Sequence, residues 1–382
     1  MDSTISTAAA PTVSIIVPAR NEEANLERCL RSLVVQQGIS FEILVVNDAS
    51  TDRTREIAES FTRVRECPFV GLNPFLGEVR VLDAPQPLPA GWTGKTNALI
   101  AAEAVARGEW LLFTDADTEH LEGSLAAAIH EAAHYRVDLL SYSPEQLLTG
   151  VRQQLIMPLI FGELAVAYSP RRVSDPEQPD AAANGQYLLV RAAAQQQVGG
   201  FAAVAVSLLE DVALARLYKK KGYNIRFRLG RGLVRTRMYS SWEELRDGWT
   251  KNLALLFPNA RQLARVRTRE FFSLLLFPTL ALLWTALVLA HEGNGSLTHG
   301  VPVVAGIFLW LLALSKYAVF YARVSRAHLP FFSSLLSVFG LPLFASLLRR
   351  SAKAHQEGSV SWRGRDYSTA GADKSAAASN SR

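Results

Sequence analysis

Hydrophobic and polar positions in the first third of the chain form two kinds of segment. Short β-branched runs predict buried strands, and segments in which leucine or alanine recurs at helical spacing predict helices. The predicted strands cover residues 13–17, 41–46, 79–82 and 110–113, and the predicted helices cover 22–35, 54–61 and 96–107. This alternation is typical of a mostly parallel sheet with helices on both faces. The sequence therefore predicts an α/β, doubly wound domain, to which we assign residues 12–255.

From residue 271 onward the pattern changes to long apolar segments. Residues 271–290 carry no charge and are long enough to cross a bilayer. Residues 301–322 form a second apolar segment that only Lys316 interrupts. Residues 330–348 form a third, which serines and Gly340-Leu-Pro342 weaken as a straight helix. The sequence thus predicts two membrane spans in 271–348 and leaves the third segment open between spanning, re-entrant and interfacial.

Composition assigns the remaining segments. Residues 1–11 are small and polar, which predicts a flexible N-terminus without the basic and apolar regions of a secretory signal. Residues 256–270 are basic and are predicted to be a linker at the membrane interface. Residues 349–382 form a tail, whose polar end from residue 368 is predicted to be disordered.

Overall composition fits a membrane-attached protein on the cytoplasmic side. Hydrophobic residues make up 49% of the chain, and two cysteines, Cys29 and Cys67, provide no disulfide framework or zinc site. The net charge is +5; residues 216–237 hold nine Lys or Arg and no acid, and residues 261–270 hold four Arg and one Glu. Basic clusters beside a membrane span suit anionic headgroups and indicate the cytoplasmic side. A solvated charged face is the alternative, and nucleic acid is not the expected partner.

Acidic residues follow three of the predicted strands. Asp115-Ala116-Asp117 comes directly after strand 110–113, where two carboxylates can hold a divalent cation against a nucleotide diphosphate. Asp48 follows the second strand and can accept hydrogen bonds from a base or ribose, and Glu22 follows the first. The alternatives are a polar turn for the D-x-D pair, an N-cap for Asp48 and a helix-start acid for Glu22. Ligands of such sheets bind outside the carboxyl ends of the strands, where these acids are predicted to lie.

Three further charged residues suit phosphate binding and proton transfer. Lys95 follows the glycine turn 91–94 at a predicted helix start, where it can neutralise a phosphate, although the spacing is not that of a phosphate loop. Glu210 and Asp211 follow apolar residues and suit a general base, because burial raises a carboxylate pKa toward neutrality. The alternatives are a solvated lysine and a pair of helix-start acids.

Together these motifs resemble the family 2 glycosyltransferases with the GT-A fold, over residues 11–255. The motifs that carry the resemblance are Val-Pro-Ala-Arg-Asn-Glu (17–22), Asn-Asp-Ala-Ser-Thr-Asp (47–52), Asp-Ala-Asp (115–117), Asn-Gly-Gln (184–186), Val-Gly-Gly-Phe (198–201) and Glu-Asp (210–211). A narrower resemblance is to bacterial hopanoid-associated glycosyltransferases and their carotenoid relatives. It rests on Trp-Thr-Gly-Lys (92–95), Met-Tyr (238–239), Gly-Trp-Thr-Lys-Asn (248–252) and Trp-Arg-Gly-Arg-x-Tyr (362–367).

The resemblance implies a hexosyltransferase that moves a sugar, with inversion, from a nucleotide-diphosphate sugar to a membrane lipid, with Mg²⁺ or Mn²⁺ as cofactor. The catalytic domain is then expected on the cytoplasmic face of a bacterial inner membrane. The residues it implies are Asp211 as general base with Glu210 as second choice; Asp117 and Asp115 for the metal; Pro18, Arg20, Glu22, Asp48, Lys95 and Asp115 for the donor; Asn184, Gly185, Gln186 and Trp249 on the acceptor side; and Trp362, Arg363 and Arg365 for a contact from the tail.

One departure from the family concerns chain elongation. Processive synthases and ceramide glucosyltransferases carry Q/R-x-x-R-W, whereas residues 245–249 here have Gly248 in place of that arginine. This favours the addition of a single sugar. Two alternatives remain: a processive polysaccharide synthase, and a catalytically inactive membrane protein on the same fold. The sequence leaves the sugar, the nucleotide and the acceptor open.

Overall fold

The computed structural model describes residues 10–62, 77–292, 301–362 and 365–368. Predictions about most of the N-terminus, Cys67, Arg363 and the polar end of the tail lie outside these residues. The chain forms two compact units. The first comprises Met1–Leu147 and Tyr168–Met238, and the second comprises Leu148–Ala167 and Tyr239–Arg382.

Among the described residues, the first unit contains ten strands, seven of which form one large sheet. Its strands are β1 (Val13–Ala19), β2 (Phe41–Asn47), β3 (Glu78–Asp83), β4 (Trp110–Phe113), β5 (Thr118–His120), β6 (Leu139–Ser143), β7 (Glu145–Gln146), β8 (Leu188–Arg191), β9 (Ile225–Leu229) and β10 (Val234–Thr236). Its helices are α1 (Leu26–Val34), α2 (Thr54–Phe61), α3 (Gly94–Glu103), α4 (Ser124–His134), α6 (Pro170–Val173), α7 (Ala192–Val198) and α8 (Glu210–Lys220), while α5 (Gly150–Ala167) belongs to the second unit.

The large sheet has the strand order β3-β2-β1-β4-β8-β6-β9. Strand β8 runs antiparallel to β4 and β6, and the other neighbours in this sheet are parallel. A three-stranded sheet, β5-β10-β7, completes the unit. Successive residues of β1 face opposite sides, so that Ile15 and Ile16 belong to separate apolar cores. The predicted α/β fold with a mostly parallel sheet is confirmed.

Two predicted helices have different bounds in the structure. Helix α1 begins at Leu26 instead of residue 22, because the chain after β1 forms a loop in which Asn21 has a φ of 52°. That loop is tied to the one after β2, since the Glu22 N–H donates to Thr54 Oγ1 at 2.7 Å. Helix α3 covers Gly94–Glu103 instead of 96–107, because Thr93 and Thr96 form a capping box at its start.

The second unit is mostly helical. After α5 it contains α9 (Trp242–Leu256), α10 (Ala260–Glu292), α11 (Val301–Val324), α12 (Phe331–Leu336), α13 (Leu341–Gln356) and the hairpin β11 (Ser359–Trp362) and β12 (Arg365–Ser368). Three of its helical stretches are long and apolar enough to cross a membrane, namely Ala260–His291, Pro302–Ala327 and Phe331–Gln356. The first two expose large apolar side chains along their length, whereas half of the third is buried within the protein.

The unit boundary differs from the one assigned to the sequence. Residues 12–255 were assigned to one transferase domain, but α5 and α9 lie with the long apolar helices of the second unit. The reason is apolar packing: α5 buries Ile156, Met157 and Ile160, and α9 buries Leu245 and Leu253. Helix α5 is therefore an excursion of the chain, which leaves the first unit after β7 and returns to it before α6.

Candidate active site

Lys95, the second residue of α3, lies at the centre of a crevice in the first unit. Its Nζ is 2.7 Å from Asp115 Oδ1 and 2.9 Å from Glu210 Oε1. Asp211 follows Glu210, and its Oδ2 accepts a 2.8 Å hydrogen bond from the Gly185 N–H. The structure thus brings five predicted site residues together. The crevice is also lined by Pro18, Leu99, Phe113, Thr114, Leu188 and Phe201.

Gly185 allows the backbone to approach these charged groups closely. A Cβ at this position would lie 2.9 Å from Lys95 Nζ and 3.5 Å from Asp211 Oδ2. The turn around it is shaped by Asn184, whose Oδ1 accepts a 2.9 Å hydrogen bond from the Gln186 N–H. Of the Asn-Gly-Gln segment (184–186) predicted on the acceptor side, Gly185 therefore lines the crevice, and Gln186 is buried behind it with 4% exposure.

Burial and mutual repulsion set the protonation of the carboxylates. Burial and the neighbouring Glu210 carboxylate raise the pKa of Asp211 to about 6, although the Lys95 ammonium and backbone N–H donors lower it in part. Burial lowers the pKa of Lys95, but Asp115, Glu210 and Asp211 together hold that pKa well above its usual value. Lys95 is therefore charged at neutral pH, and Asp211 is ionised but more basic than an ordinary aspartate.

Glu210 and Asp211 are also the first residues of α8. The positive end of the helix dipole stabilises acids in the first turn, so the helix-start interpretation of this pair holds as well. It does not exclude a chemical role, because the same position places Glu210 beside Lys95.

The D-x-D loop, Asp115–Asp117, is supported by buried polar residues that the sequence analysis did not single out. Thr114 Oγ1 donates to the Gln186 carbonyl at 2.8 Å and contacts His120 Nε2 at 3.0 Å. Thr236 Oγ1 donates to the Asp117 carbonyl at 3.3 Å and accepts from Gln186 Nε2 at 3.2 Å. Burial lowers the pKa of His120 to about 3, so this histidine is neutral. The sequence analysis missed these residues because single threonines and a single histidine in or next to strands look like core residues.

Glu103, at the end of α3, is another residue that the sequence analysis missed. It accepts hydrogen bonds from Gln195 Nε2 at 2.5 Å and from the Phe201 N–H at 3.2 Å. Burial raises the pKa of Glu103 to about 7 against the effect of these two donors. Phe201 lines the crevice and packs edge-on against Phe113, so Glu103 helps to fix that wall.

The residues predicted to hold the nucleoside lie in the loops after β1 and β2. Arg20 Nη1 donates to the Asp48 carbonyl at 2.9 Å, and Asp48 is only 3% exposed. Glu22 Oε2 accepts from Asn25 Nδ2 at 2.9 Å. Strand β1 pairs in parallel with both β2 and β4, so the loops after β1 and β2 leave the sheet at the same end as the D-x-D loop. Their contact with a nucleoside stays a prediction.

A divalent cation fits the chemistry of the D-x-D loop. Among the described residues, no three His, Cys, Asp or Glu side chains converge closely enough to hold a metal ion. Asp115 and Asp117, both half-buried, supply two carboxylates. Mg²⁺ is commonly bound through one or two carboxylates together with phosphate oxygens of the substrate, so two protein ligands suffice.

The remaining predicted residues belong to the second unit. Trp249 is 3% exposed and packs edge-on against Tyr239 and Phe161. A Cβ at Gly248 would lie 2.5 Å from Tyr239 Oη, so the tyrosine ring fills the space that a side chain at 248 would need. The acceptor-side role of Trp249 stays a prediction.

The tail segment forms the β11–β12 hairpin. Trp362 and Arg365 are paired across it, and Arg363 lies outside the described residues. The contact of the Trp-Arg-Gly-Arg segment with the donor or the acceptor entrance also stays a prediction.

Comparison with known proteins agrees with this geometry. The sequence profile of glycosyl transferase family 2 matches residues 14–152. The 4,4'-diaponeurosporenoate glycosyltransferase of Staphylococcus aureus is 24% identical over 370 residues, which cover 93% of this chain and 88% of that protein.

Two solved structures were also compared with the chain. The mannosyltransferase PcManGT from Pyrobaculum calidifontis, in complex with GDP-Man and Mn²⁺, has a TM-score of 0.46 and 16% identity, covering 91% of this chain and 87% of its own. TarS 1–349 from S. aureus in complex with UDP-GlcNAc has a TM-score of 0.39 and 16% identity, covering 93% and 95%.

The match to the family profile and the S. aureus relative confirm the predicted family and enzyme class. The match begins in β1 and includes the loops with Glu22, Asp48, Lys95 and the D-x-D pair. Residues 14–152 of this chain are a family 2 glycosyl transferase domain, and the chain is a glycosyltransferase.

Proposed function

We propose that this glycosyltransferase adds one sugar, from a nucleotide-diphosphate donor, to a hydroxyl group of a lipid in the membrane. The observation that carries the proposal is the crevice in which Lys95 lies between Asp115 and Glu210, with Asp211 beside them. Three acids face one lysine there. The excess of negative charge suits a site that binds a divalent cation and in which a carboxylate accepts a proton during the reaction.

Asp211 is the proposed general base. The acceptor oxygen attacks the anomeric carbon, its proton passes to an Asp211 carboxylate oxygen, and the bond between that carbon and the diphosphate oxygen breaks. Attack from the side opposite the leaving group inverts the anomeric centre. Because its pKa is about 6, Asp211 is ionised at neutral pH and holds a proton better than an exposed aspartate does.

Asp115 and Asp117 would hold the divalent cation, which when bound neutralises charge on the leaving diphosphate. Lys95 is the positive side chain nearest to Asp115 in the crevice and is proposed to bind the same diphosphate. Arg20, Glu22 and Asp48, on the loops after β1 and β2, are proposed to bind the nucleoside.

Addition of a single sugar is supported by the packing at Gly248. The Tyr239 ring occupies the space beside the glycine, so the arginine found there in processive synthases would not fit without displacing the ring. A lipid acceptor is supported by the apolar helices α10 and α11. The S. aureus relative is named for 4,4'-diaponeurosporenoate, so a carotenoid-type acceptor is the first to test, and a hopanoid is the second.

We further propose that the third apolar segment lies at the membrane interface without crossing. In α12 and the following turn the exposed residues are apolar, among them Phe331 at 72%, Phe332 at 73% and Phe339 at 62%, while Ser333 and Ser337 are buried. A surface of this kind suits lipid. In α13 the apolar residues are buried instead of exposed, among them Phe344 and Leu348.

The exposed face of α13 is polar, with Ser346, Arg349, Arg350 and Lys353 facing outward. Residues 331–340, which carry these exposed apolar side chains, span about 15 Å as helix, less than the roughly 30 Å hydrocarbon core. With the basic residues of α13 on the cytoplasmic side, two crossings by α10 and α11 return the chain to that side.

A Ser359→Cys variant in intact cells should then resist an impermeant thiol reagent, and ready labelling from outside would show a third crossing.

The experiment that tests the proposed activity is lipid analysis of the producing bacterium with and without the gene. Deletion should remove a glycolipid and accumulate its sugar-free precursor. Expression of the wild-type chain should restore the glycolipid, and expression of an Asp117→Ala chain should not. An unchanged lipid profile, or a lost polysaccharide in place of a glycolipid, would contradict the proposal.

A further inference from the structure

Four charged side chains in the second unit form a closed ring. Arg267 Nε is 2.8 Å from Glu163 Oε1, and Arg267 Nη1 is 2.9 Å from Glu270 Oε2. Arg323 Nε is 3.0 Å from the same Glu163 oxygen, and Arg323 donates from both Nη atoms to Glu270 at 2.9 and 2.7 Å. Each arginine thus contacts both glutamates, and the four charges, which we call the ion ring, cancel.

The ion ring is shielded from solvent by the protein. The side chains of Glu163, Arg267, Glu270 and Arg323 are 8%, 13%, 16% and 11% exposed. Shielded charges are costly unless they are paired, so this arrangement persists only because each charge meets two of opposite sign. A lipid phosphate would have to displace these carboxylates to reach either guanidinium, so the ring does not resemble an open headgroup site.

The ring joins three helices at one end of the apolar hairpin. Arg267 and Glu270 lie in α10 just before its uncharged stretch begins at Phe271, and Arg323 is the penultimate residue of α11. Glu163 lies on α5. The same end of α11 packs closely on α5, since a Cβ at Gly162 would lie 3.1 Å from the Arg323 carbonyl oxygen.

Helix α5 is the part of this unit whose chain continues at both ends into the transferase unit. It follows β7, where the Leu147 N–H donates to the Thr236 carbonyl at 2.8 Å. Thr236 in turn contacts the Asp117 carbonyl and the Gln186 side chain. The excursion that the ring holds therefore begins beside a residue that supports the D-x-D loop.

We propose that Glu163, Arg267, Glu270 and Arg323 are positioning residues for transfer to acceptors in the membrane. The ring fixes the α5 excursion at the root of the α10–α11 hairpin, and thereby fixes where the transferase chain enters and leaves the membrane unit. This inference rests on the proposed function, because it concerns delivery of a lipid acceptor to the same site. The ring takes no part in donor binding or in the bond changes.

The test removes one ion pair from the ring without leaving an unpaired charge. The variant Glu270→Gln/Arg323→Gln keeps the Glu163–Arg267 pair and the net charge. Its matched control is Lys353→Gln/Glu357→Gln, which removes an exposed pair of the same unit that is 72% and 61% exposed. Full-length proteins in phosphatidylglycerol-containing vesicles are assayed with a panel of UDP- and GDP-sugars and with 4,4'-diaponeurosporenoate and a hydroxylated carotenoid as acceptors.

Two rates are compared, glycolipid formation and the slow release of nucleotide diphosphate without acceptor. Misplacement of reacting groups by about 1 Å can cost about a hundredfold in rate, so we expect glycolipid formation to fall by about tenfold to a hundredfold. The KM for the donor and the acceptor-independent release should stay at the wild-type level. The charge-conserving variant Glu270→Asp/Arg323→Lys should retain more glycolipid formation than the double Gln variant, and the control pair should change nothing.

Three results would contradict the inference. Equal losses of both rates would show a ring needed only for folding, and unchanged glycolipid formation would show a ring without a positioning role. Glycolipid formation that is no higher in Glu270→Asp/Arg323→Lys than in Glu270→Gln/Arg323→Gln, with both proteins folded, would do so as well. A wild-type chain that releases nucleotide diphosphate but forms no glycolipid would contradict both the proposed function and this inference.

Discussion

Among the described residues, the ion ring and the crevice are two shielded clusters of charge that differ in balance. In the ion ring two glutamates meet two arginines, and every charge has two partners of opposite sign. In the crevice Asp115, Glu210 and Asp211 share Lys95, so acids outnumber the lysine by two. Both clusters are largely removed from water, where uncompensated charge is expensive. The balanced cluster fits a structural role, and the unbalanced one fits a site that binds a further cation and exchanges a proton.

The energetic signature of the imbalance is the pKa of Asp211. Burial and the nearby Glu210 raise that pKa to about 6. A fold keeps a carboxylate in such an environment at a cost in stability, because the ionised form is disfavoured. Strained or perturbed groups of this kind are enriched at functional sites, which is a reason to assign the chemistry to the crevice.

The largest effect is expected from the cation side of the crevice. Asp117→Ala removes a proposed metal ligand from a half-buried loop position and should abolish glycolipid formation while leaving the fold intact. A chelator should abolish the activity of the wild type, and added Mg²⁺ or Mn²⁺ should restore it. Circular dichroism serves as the folding control. Full activity of the wild type in excess chelator would disprove the metal assignment.

Removal of the base should have the next largest effect. Asp211→Asn preserves shape but cannot take a proton, so kcat with a hydroxyl acceptor should fall by about 10²–10⁴-fold while the donor KM is kept. A carboxylate acceptor loses no proton on attack, so the same variant should transfer to it with a much smaller loss. A nearly normal Asp211→Asn and an inactive Glu210→Gln would reverse the two roles.

Substitutions in the ion ring are expected to lower the stability of the protein more than substitutions in the crevice, which is the reverse of their order for catalysis. Arg323→Gln leaves Glu163 and Glu270 with one arginine between them, and loss of one partner of a shielded pair costs about 3–5 kcal/mol. Glu210→Gln relieves repulsion in the crevice and should leave the unfolding temperature unchanged or slightly higher. Thermal unfolding in detergent measures both. A larger loss for Glu210→Gln than for Arg323→Gln would mean that the balance argument is wrong.

The smallest effect is a shift in pH dependence. Transfer requires ionised Asp211, so the rate should fall as the pH drops through about 6. The Lys95 charge lowers the pKa of Asp211, so in Lys95→Gln the acidic limb should move to higher pH, by about one unit for an opposite charge at this range. The pH–rate profile of kcat/KM measures the shift. A limb that moves to lower pH in this variant would contradict the assigned geometry.

Local sequence patterns were sufficient to predict most of the sheet and the crevice. β-Branched runs fixed the first four strands because a buried parallel strand must be apolar along its length. Acids at the ends of three of those strands were expected to lie close together. Asp115 lines the crevice together with Lys95, Glu210 and Asp211, whereas the roles of Glu22 and Asp48 stay predictions.

What the sequence did not reveal depends on tertiary contacts. Helix α5 is apolar on most sides and follows a short strand, so nothing local indicates that it leaves the transferase unit for the membrane helices. Glu163 appears in sequence as a lone acid in an apolar helix, and its two arginine partners are 104 and 160 residues away. The support of the D-x-D loop by His120 and Thr236 was missed for the same reason, since single residues in strands carry no motif.

The most direct test of the central claim is product analysis with the purified full-length chain. Vesicles containing a hydroxylated carotenoid are incubated with nucleotide sugars and Mg²⁺, for the wild type and for Asp211→Asn. Mass spectrometry of the extracted lipid should show a product heavier by one sugar, formed with one nucleotide diphosphate released per product, and the variant should lack it. Nucleotide release without any glycolipid, or products that carry several sugars, would contradict the account.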